Sequence, residues 1–520
     1  MSRRRTASLL GLLVAVGFVL RLLQYDQSLM GDEVSTLWVV RNHSLGGVLD
    51  VLRGDAEITP PLSFVLSWLA SKLGSDPNLI RLPSLIAGTA SIPLLYLLGK
   101  RTVGQVAGLV AAAVLTLSPF MTYFSGNGRG YALLTLLLIG STLTMLIATE
   151  SGRSRWWWVA YGALSCLAMY THYTAMFVLL GQLLWLLWAR PGLRLPALLA
   201  NGAAALAFLP WLPGLRADLD SPTQPVLEAL QGDGFADKRF AFEQWGFGHP
   251  LIDPASVPGA AVMIVIAAGI AAAAVLSFRR IWLRTRAADG AGLREAAGDG
   301  LVLVLVLAVA TPLGELLLAL TGTDLLGSRN MTASWYGLAL SLGALITIPG
   351  GVAAIVCGAL VLGGYGAASA NLLRDEGKVL DIKGPARTID AEIEDGDVVV
   401  DFNAALTTPT PQIPLEAYLD AEPPAFYPGL PAGDPPFLPT TPIPVANDLL
   451  ERAFDEAAGH RVLLIAPDAI TVKEREMGER HADRPELEGV TLTLPSDARI
   501  TEVDSFPGFR TTNLYTIEVG

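Results

Sequence analysis

Residues 3–33 read RRRTASLLGLLVAVGFVLRLLQYDQSLMGDE: three arginines, an apolar run of near bilayer length, then two adjacent acids. The opening resembles a signal peptide. The exit Gln24-Tyr25-Asp26-Gln27, however, carries no small-residue cleavage pattern, so the stretch reads as a retained first span from about Ala7 to Leu23. Basic residues mark the cytoplasmic side. The span therefore leaves the membrane on the outer face and delivers Gly31-Asp32-Glu33 there.

The rest of the first 371 residues repeats this apolar pattern. The chain of 520 residues is 52% hydrophobic and only 16% charged, with a mean hydropathy of +0.47. Its apolar runs approach the roughly 20 residues of a bilayer span. They are continuous rather than alternating, which selects helices over a β-barrel. Further spans are expected at about Leu82–Gly99, Gly104–Thr122, Tyr131–Thr149, Trp156–Thr171, Tyr173–Ala189, Leu195–Trp211, Pro258–Phe278, Leu301–Thr321, Thr332–Ile348 and Val352–Asn371, about eleven in all. The apolar piece Pro61–Leu73 is too short to span and reads as an interfacial or re-entrant helix. Counting it as a span would put the basic loops at Lys100-Arg101, Arg153/Arg155, Arg190/Arg194 and Arg279 to Arg286 outside, against the positive-inside rule.

Charge divides the chain. Residues 372–520 carry 12 Lys/Arg and 28 Asp/Glu, whereas residues 1–371 carry 24 and 20. The expected organisation is a polytopic α-helical membrane domain, 1–371, followed by a soluble extracytoplasmic α/β domain, 372–520. In the latter, strands are expected at Asp397–Phe402, Arg461–Ala466, Val490–Leu494 and Asn513–Val519. A helix is expected from an Asn447 cap to about Gly459, and irregular chain in the proline-rich stretch from Pro409 to Pro444. Cys166 and Cys357 lie in apolar runs, which argues against a disulfide or a thiolate metal site. Nothing in the charge pattern points to nucleic acid.

Several polar groups fall on the outer face under this topology. Asp32 and Glu33 read as a general base pair or metal ligands, or as a solvated loop. Glu57-Ile58-Thr59-Pro60-Pro61-Leu62 stiffens the chain before the short helix. Tyr123 through Tyr131 places Arg129 outside, against the charge bias; its planar fork suits phosphate, although a snorkelling role fits as well. Gly126, Gly128 and Gly130 offer close backbone approach to such a phosphate. His172, in Tyr170-Thr171-His172-Tyr173, and Arg329, in Ser328-Arg329-Asn330, lie at other outer junctions. Glu315 is the one acid deep in a span and a functional candidate for that reason. An acid to deprotonate an acceptor hydroxyl and cations to stabilise a leaving phosphate are what transfer from a lipid phosphate needs.

The ordered set Gly31-Asp32-Glu33, Thr59-Pro60-Pro61-Leu62, Arg81-Leu82-Pro83-Ser84, Tyr123 to Tyr131, Thr171-His172-Tyr173, Leu209-Pro210-Trp211 and Ser328-Arg329-Asn330 resembles the GT-C superfamily of membrane glycosyltransferases. The nearest groups are protein O-mannosyltransferases and the aminoarabinose transferases that modify lipid A. The resemblance implies inverting transfer of a sugar from a polyprenyl-phosphate donor to a glycan, lipid or protein acceptor at the outer face of the cytoplasmic membrane. It makes Asp32 the base with Glu33 beside it. Arg129, Tyr131, His172, Tyr173, Arg329, Arg81 and Glu57 become candidates for substrate binding. Some relatives hold a divalent cation with this loop. Asp32, Glu33, Asp55, Glu57 and His43 are of the right type, though no spacing demands one. The sequence departs from the family pattern at Thr59, where relatives often carry histidine or lysine, and at Asn127, where they often carry glutamate. A transporter or flippase of a lipid-linked or anionic solute is the competing class, and a non-catalytic binder of lipid-linked sugar a third.

Overall fold

The fold is that of a computed structural model describing residues 2–54, 57–150, 154–221, 232, 234–287, 293–378, 380–403, 405–406, 411–429, 441–475, 483–508 and 510–520. Arg153, Asp55 and Pro409 lie outside the described residues. The chain forms two compact units. One comprises Met1–Asp26, His43–Gly74 and Leu79–Leu373; the other comprises Gln27–Asn42, Ser75–Asn78 and Arg374–Gly520.

The first unit is helical. Helix α1 (Arg3–Tyr25) is inside-out relative to a soluble helix: it buries Thr6, Gly17, Arg21 and Gln24 and exposes Leu9, Leu12, Val19 and Leu23. Arg21 donates along the chain and across it, from Nη1 to the carbonyl of Gly17 at 3.0 Å and from Nη2 to that of Leu115 at 3.2 Å. An apolar outer surface of this kind suits lipid, and the chain is a multi-pass membrane protein. Among the described residues, seven helices are long and apolar enough to cross a bilayer: Arg3–Tyr25, Pro77–Thr102, Tyr131–Thr149, Pro191–Leu219, Ala255–Leu283, Gly298–Ala319 and Gly351–Leu372.

A bent helix pair counts as an eighth span if its two pieces cross together. Gln105–Leu117 and Pro119–Ser125 meet at 65°. Pro119 disfavours helical geometry at the residue before it. Ser118 accordingly turns extended, and its hydroxyl caps the Met121 N–H at 3.3 Å. The three remaining expected spans are shorter helices, Trp156–Met169, Ala175–Ala189 and Trp335–Thr347, of 14, 15 and 13 residues. Every expected span is thus helical, but only eight meet the length test. The piece at Leu62–Ser71 is a helix of 10 residues.

The second unit has a five-stranded sheet in the order β4-β1-β5-β10-β9, where β1 is Val398–Asp401, β4 Ala425–Phe426, β5 Arg461–Pro467, β9 Ala498–Phe506 and β10 Thr512–Val519. β1 runs parallel to β4 and β5, while β10 is antiparallel to β5 and β9. Alternation along β1 and β5 sends Val398, Val400, Val462 and Leu464 to one face, under helix Ile443–Glu456. Val399, Leu463 and Ile465 face the other way, under helix Lys383–Glu392. The helix expected from Asn447 begins earlier, at Ile443, because Pro444 is accommodated in its first turn. The Asn447 side chain instead accepts the Leu487 N–H at 2.8 Å. β9 was not expected; its exposed, acid-rich positions hide the alternation. The expected strand at Val490–Leu494 is Thr491–Thr493, in a separate three-stranded sheet.

Candidate functional site

In the helical unit, three of the sequence motifs interlock. The Leu62 N–H donates to the Tyr170 carbonyl at 2.9 Å, tying the double-proline segment to the turn that carries His172. Gly130 lies between these two pieces: a Cβ there would meet Thr171 Cγ2 at 3.0 Å and Ser63 Cβ at 3.1 Å. Gly126 is closed in similarly, with a Cβ 2.7 Å from Gln24 Cβ and 2.9 Å from the backbone of Gln24 and Tyr25. The expectation that these glycines admit a phosphate is therefore corrected at 126 and 130: their missing side chains are used by the packing of the chain itself.

That packing sets Arg129. Its guanidinium grips Glu57 with both forks, Nη2 to Oε1 at 2.7 Å and Nη1 to Oε2 at 3.2 Å, with side chains 10% and 11% exposed. Nη2 also donates to Thr59 Oγ1 at 2.9 Å, and the Thr59 hydroxyl donates to Glu57 Oε1 at 2.7 Å. The Arg129 N–H donates to Asn127 Oδ1 at 3.0 Å, its carbonyl accepts the Ser84 hydroxyl at 3.0 Å, and its guanidinium lies 5.3 Å from the Phe64 ring centroid. Bidentate, charge-assisted and nearly dry, this is a strong pair.

His172 lies within the field of two arginines. Its Nδ1 accepts the Thr174 N–H at 3.3 Å, which leaves the neutral ring's proton on Nε2. Burial, and then the charges of Arg129 and Arg329, pull its pKa down to about 3, so the ring is uncharged at neutral pH. The Tyr131 ring lies 5.3 Å from it. Tyr173 donates its hydroxyl to Asp218 and accepts from Trp211 Nε1 at 3.0 Å. Burial and the Asp218 carboxylate push the Tyr173 hydroxyl's pKa well above its usual value. Asp218, 4% exposed with Oδ1 unpartnered among the described residues, is an acid the sequence reading missed. The available signal was its position eight residues after Pro210, at the end of a Leu-Pro-Trp-led helix.

Other candidates have different surroundings. Arg81, 2% exposed, donates to the Tyr25 carbonyl at 2.8 Å and so secures the end of α1. Glu315 is 2% exposed with Oε2 unpartnered among the described residues, in the region of the Lys238–Asp324 ion pair. Asp32 and Glu33 belong to the second unit, where they open helix α2 (Asp32–Asn42); Asp32 is exposed and Glu33 buried. No group of three or more His, Cys, Asp or Glu side chains among the described residues is placed to hold a metal. Glu57, with both oxygens committed to Arg129 and Thr59, does not fit a ligand role.

Residues 59–213 match the family model for dolichyl-phosphate-mannose-protein mannosyltransferase, a segment containing Thr59, Arg81, Arg129, Tyr131, His172, Tyr173 and Trp211. No curated protein sequence matches the chain significantly. Among solved structures, ArnT from Cupriavidus metallidurans bound to undecaprenyl phosphate superposes with a TM-score of 0.51 at 12% identity, over 90% of this chain and 94% of that one. The chain has the GT-C membrane glycosyltransferase fold. The archaeal oligosaccharyltransferase AglB from Archaeoglobus fulgidus, in complex with an inhibitory peptide and a dolichol-phosphate, has a TM-score of 0.48 at 13% identity, over 88% of this chain and 69% of its own. The Arg129 cluster lies inside the matched segment, whereas Asp32 and Glu33 precede it.

Proposed function

We propose that this GT-C protein transfers a sugar from a polyprenyl-phosphate donor to a hydroxyl acceptor at the outer face of the cytoplasmic membrane, with inversion. Asp32 takes the acceptor proton, with Glu33 assisting from its buried position. Arg129, Arg329 and the Nε2–H of neutral His172 receive the charge that develops on the departing lipid phosphate. Tyr131 and Tyr173 line that region, Glu57 holds Arg129 ready, and Arg81 holds the end of α1. The C-terminal α/β domain is extracytoplasmic in this reading.

The observation that carries the proposal is the preorganised arginine: a fork held by Glu57 and Thr59, on a backbone N–H held by Asn127, beside an uncharged histidine, within the mannosyltransferase-like segment. The similarity to ArnT bound to undecaprenyl phosphate supports the same donor class for this chain. In lipid, the protein is offered a panel of polyprenyl-phosphate sugars and release of polyprenyl phosphate is followed by mass spectrometry. Release from one donor, lost in Asp32→Asn at undiminished membrane content, is expected. Near-native turnover by Asp32→Asn removes the base assignment, and absence of release from every donor that binds removes the transferase reading.

A further inference from the structure

The acid pair at Asp32 is built on the second compact unit, and the contacts that hold it there are specific. Ser28 Oγ accepts the N–H groups of Ile382 and Lys383 at 2.9 and 3.1 Å, the opening donors of helix Lys383–Glu392, and donates to Asp381 Oδ1 at 3.3 Å. The Asp381 carboxylate in turn accepts the Gly384 N–H at 2.9 Å. A hydroxyl before α2 thus caps a helix more than 350 positions downstream. One residue further on, the Leu29 N–H donates to the Tyr418 hydroxyl at 2.7 Å, and that hydroxyl donates to Asn78 Oδ1 at 3.1 Å. Leu29 and Asn78 are buried, 0% and 1% exposed. Only Met30 and Gly31 then separate this anchor from Asp32. Gly31 takes φ +53°, a left-handed turn that other residues rarely adopt, and its carbonyl accepts the Val34 N–H at 2.9 Å in the first turn of α2.

We infer that the C-terminal α/β domain is a working part of the transferase: Tyr418 and Ser28 are positioning residues that fix the turn bearing Asp32. The inference rests on the reading of Asp32 as the base. Two anchors within four residues of a carboxylate hold it far more tightly than a free loop, and general-base catalysis is sensitive to displacements of about 1 Å. Tyr418 reaches the turn through the backbone N–H of Leu29. Its hydroxyl is occupied on both sides, as acceptor from one segment and donor to another.

The test uses the full chain in lipid nanodiscs and compares the native protein with Tyr418→Phe, Ser28→Ala, Ser28→Thr and Asp32→Asn. Hydrogen exchange of the peptide spanning residues 27–36 reports the anchor directly. It is expected to quicken about tenfold in Tyr418→Phe and Ser28→Ala and to stay near native in Ser28→Thr, with the exchange of β5 and β10 unchanged. With the donor that the native protein turns over, Tyr418→Phe is expected to lose about tenfold or more in kcat at unchanged donor KM. Native exchange in Tyr418→Phe overturns the anchor. Faster exchange with native kcat overturns its catalytic role. An active Asp32→Asn instead overturns the base reading and leaves the exchange result to judge the anchor alone.

Discussion

Removing Arg129 separates its two roles, because its guanidinium is both the partner of Glu57 and the proposed phosphate contact. In Arg129→Ala, Glu57, whose side chain is 11% exposed in the native protein, keeps the Thr59 hydroxyl but loses both charge-assisted bonds. Stranding a buried charge in this way costs about 3–5 kcal/mol, and the lower end fits a carboxylate with one remaining donor. In Arg129→Ala with Glu57→Gln, the stranded charge is gone and only hydrogen bonds are lost, two to Glu57 and one to Thr59, about 1 kcal/mol each, and the one to Thr59 is lost in the single variant as well. The double variant is therefore expected to be more stable than the single one. Phosphate binding follows a different rule: one charge-assisted contact to the lipid phosphate, about 1.5–3 kcal/mol, is lost in both variants, a weakening of about 10- to 150-fold. Thermal unfolding in lipid, with and without added undecaprenyl phosphate, reads both quantities, since a ligand that binds only the folded state raises the melting temperature. Should the double variant regain stability and also the full phosphate-dependent shift, Arg129 serves only to neutralise Glu57 and the donor-site reading fails.

His249 is fully buried, its Nδ1 accepts the Leu251 N–H at 3.1 Å, and burial lowers its pKa to about 3. The folded state holds it uncharged while the unfolded chain takes up a proton below about pH 6.5, so its contribution to stability falls as pH drops from about 6.5 towards 3, by about 2 kcal/mol at pH 5. Melting temperature between pH 7 and 5 should fall in the native protein and fall less in His249→Asn; equal slopes contradict the assignment. Tyr173→Phe leaves Asp218 with neither oxygen bonded by a described side chain and should destabilise by about 1–3 kcal/mol in the same melt, whereas Asp218→Asn, which keeps an acceptor for Tyr173, should melt near the native value.

Charge and hydropathy patterning carried the architecture because span length and loop charge are local quantities. The bent pair shows the limit. Gly104–Thr122 carries no charged residue, and only Ser118-Pro119, within that run, marks the 65° break. The site was legible where a motif brings its own partners: Asn127, Arg129 and Tyr131 sit within five residues. It was not legible where partners come from elsewhere. Asp218 is significant only because the fold delivers it to Tyr173, 45 positions earlier in the chain. Tyr418 is significant only because it meets Leu29 across 389 positions. No composition or period within either segment encodes such a meeting.

The two departures from the family pattern gain a physical reading from the same cluster. Thr59 and Asn127 are both direct neighbours of Arg129: the Thr59 hydroxyl accepts from Nη2 and the Asn127 side chain from the backbone N–H. A lysine or protonated histidine at 59 would set a second cation against Glu57, and a glutamate at 127 would set a second anion beside Arg129. In this chain both positions are neutral, so one charge of each sign is absent and the local balance is unchanged. Glu57 and Arg129 are left to neutralise each other, which accounts for their close bidentate contact. On the proposed function, a lipid phosphate approaching this cluster would compete with the Glu57 carboxylate for the Arg129 guanidinium. The departures then bear on which donor succeeds in that competition, through the strength of the Glu57–Arg129 pair, rather than on whether an arginine is presented at all.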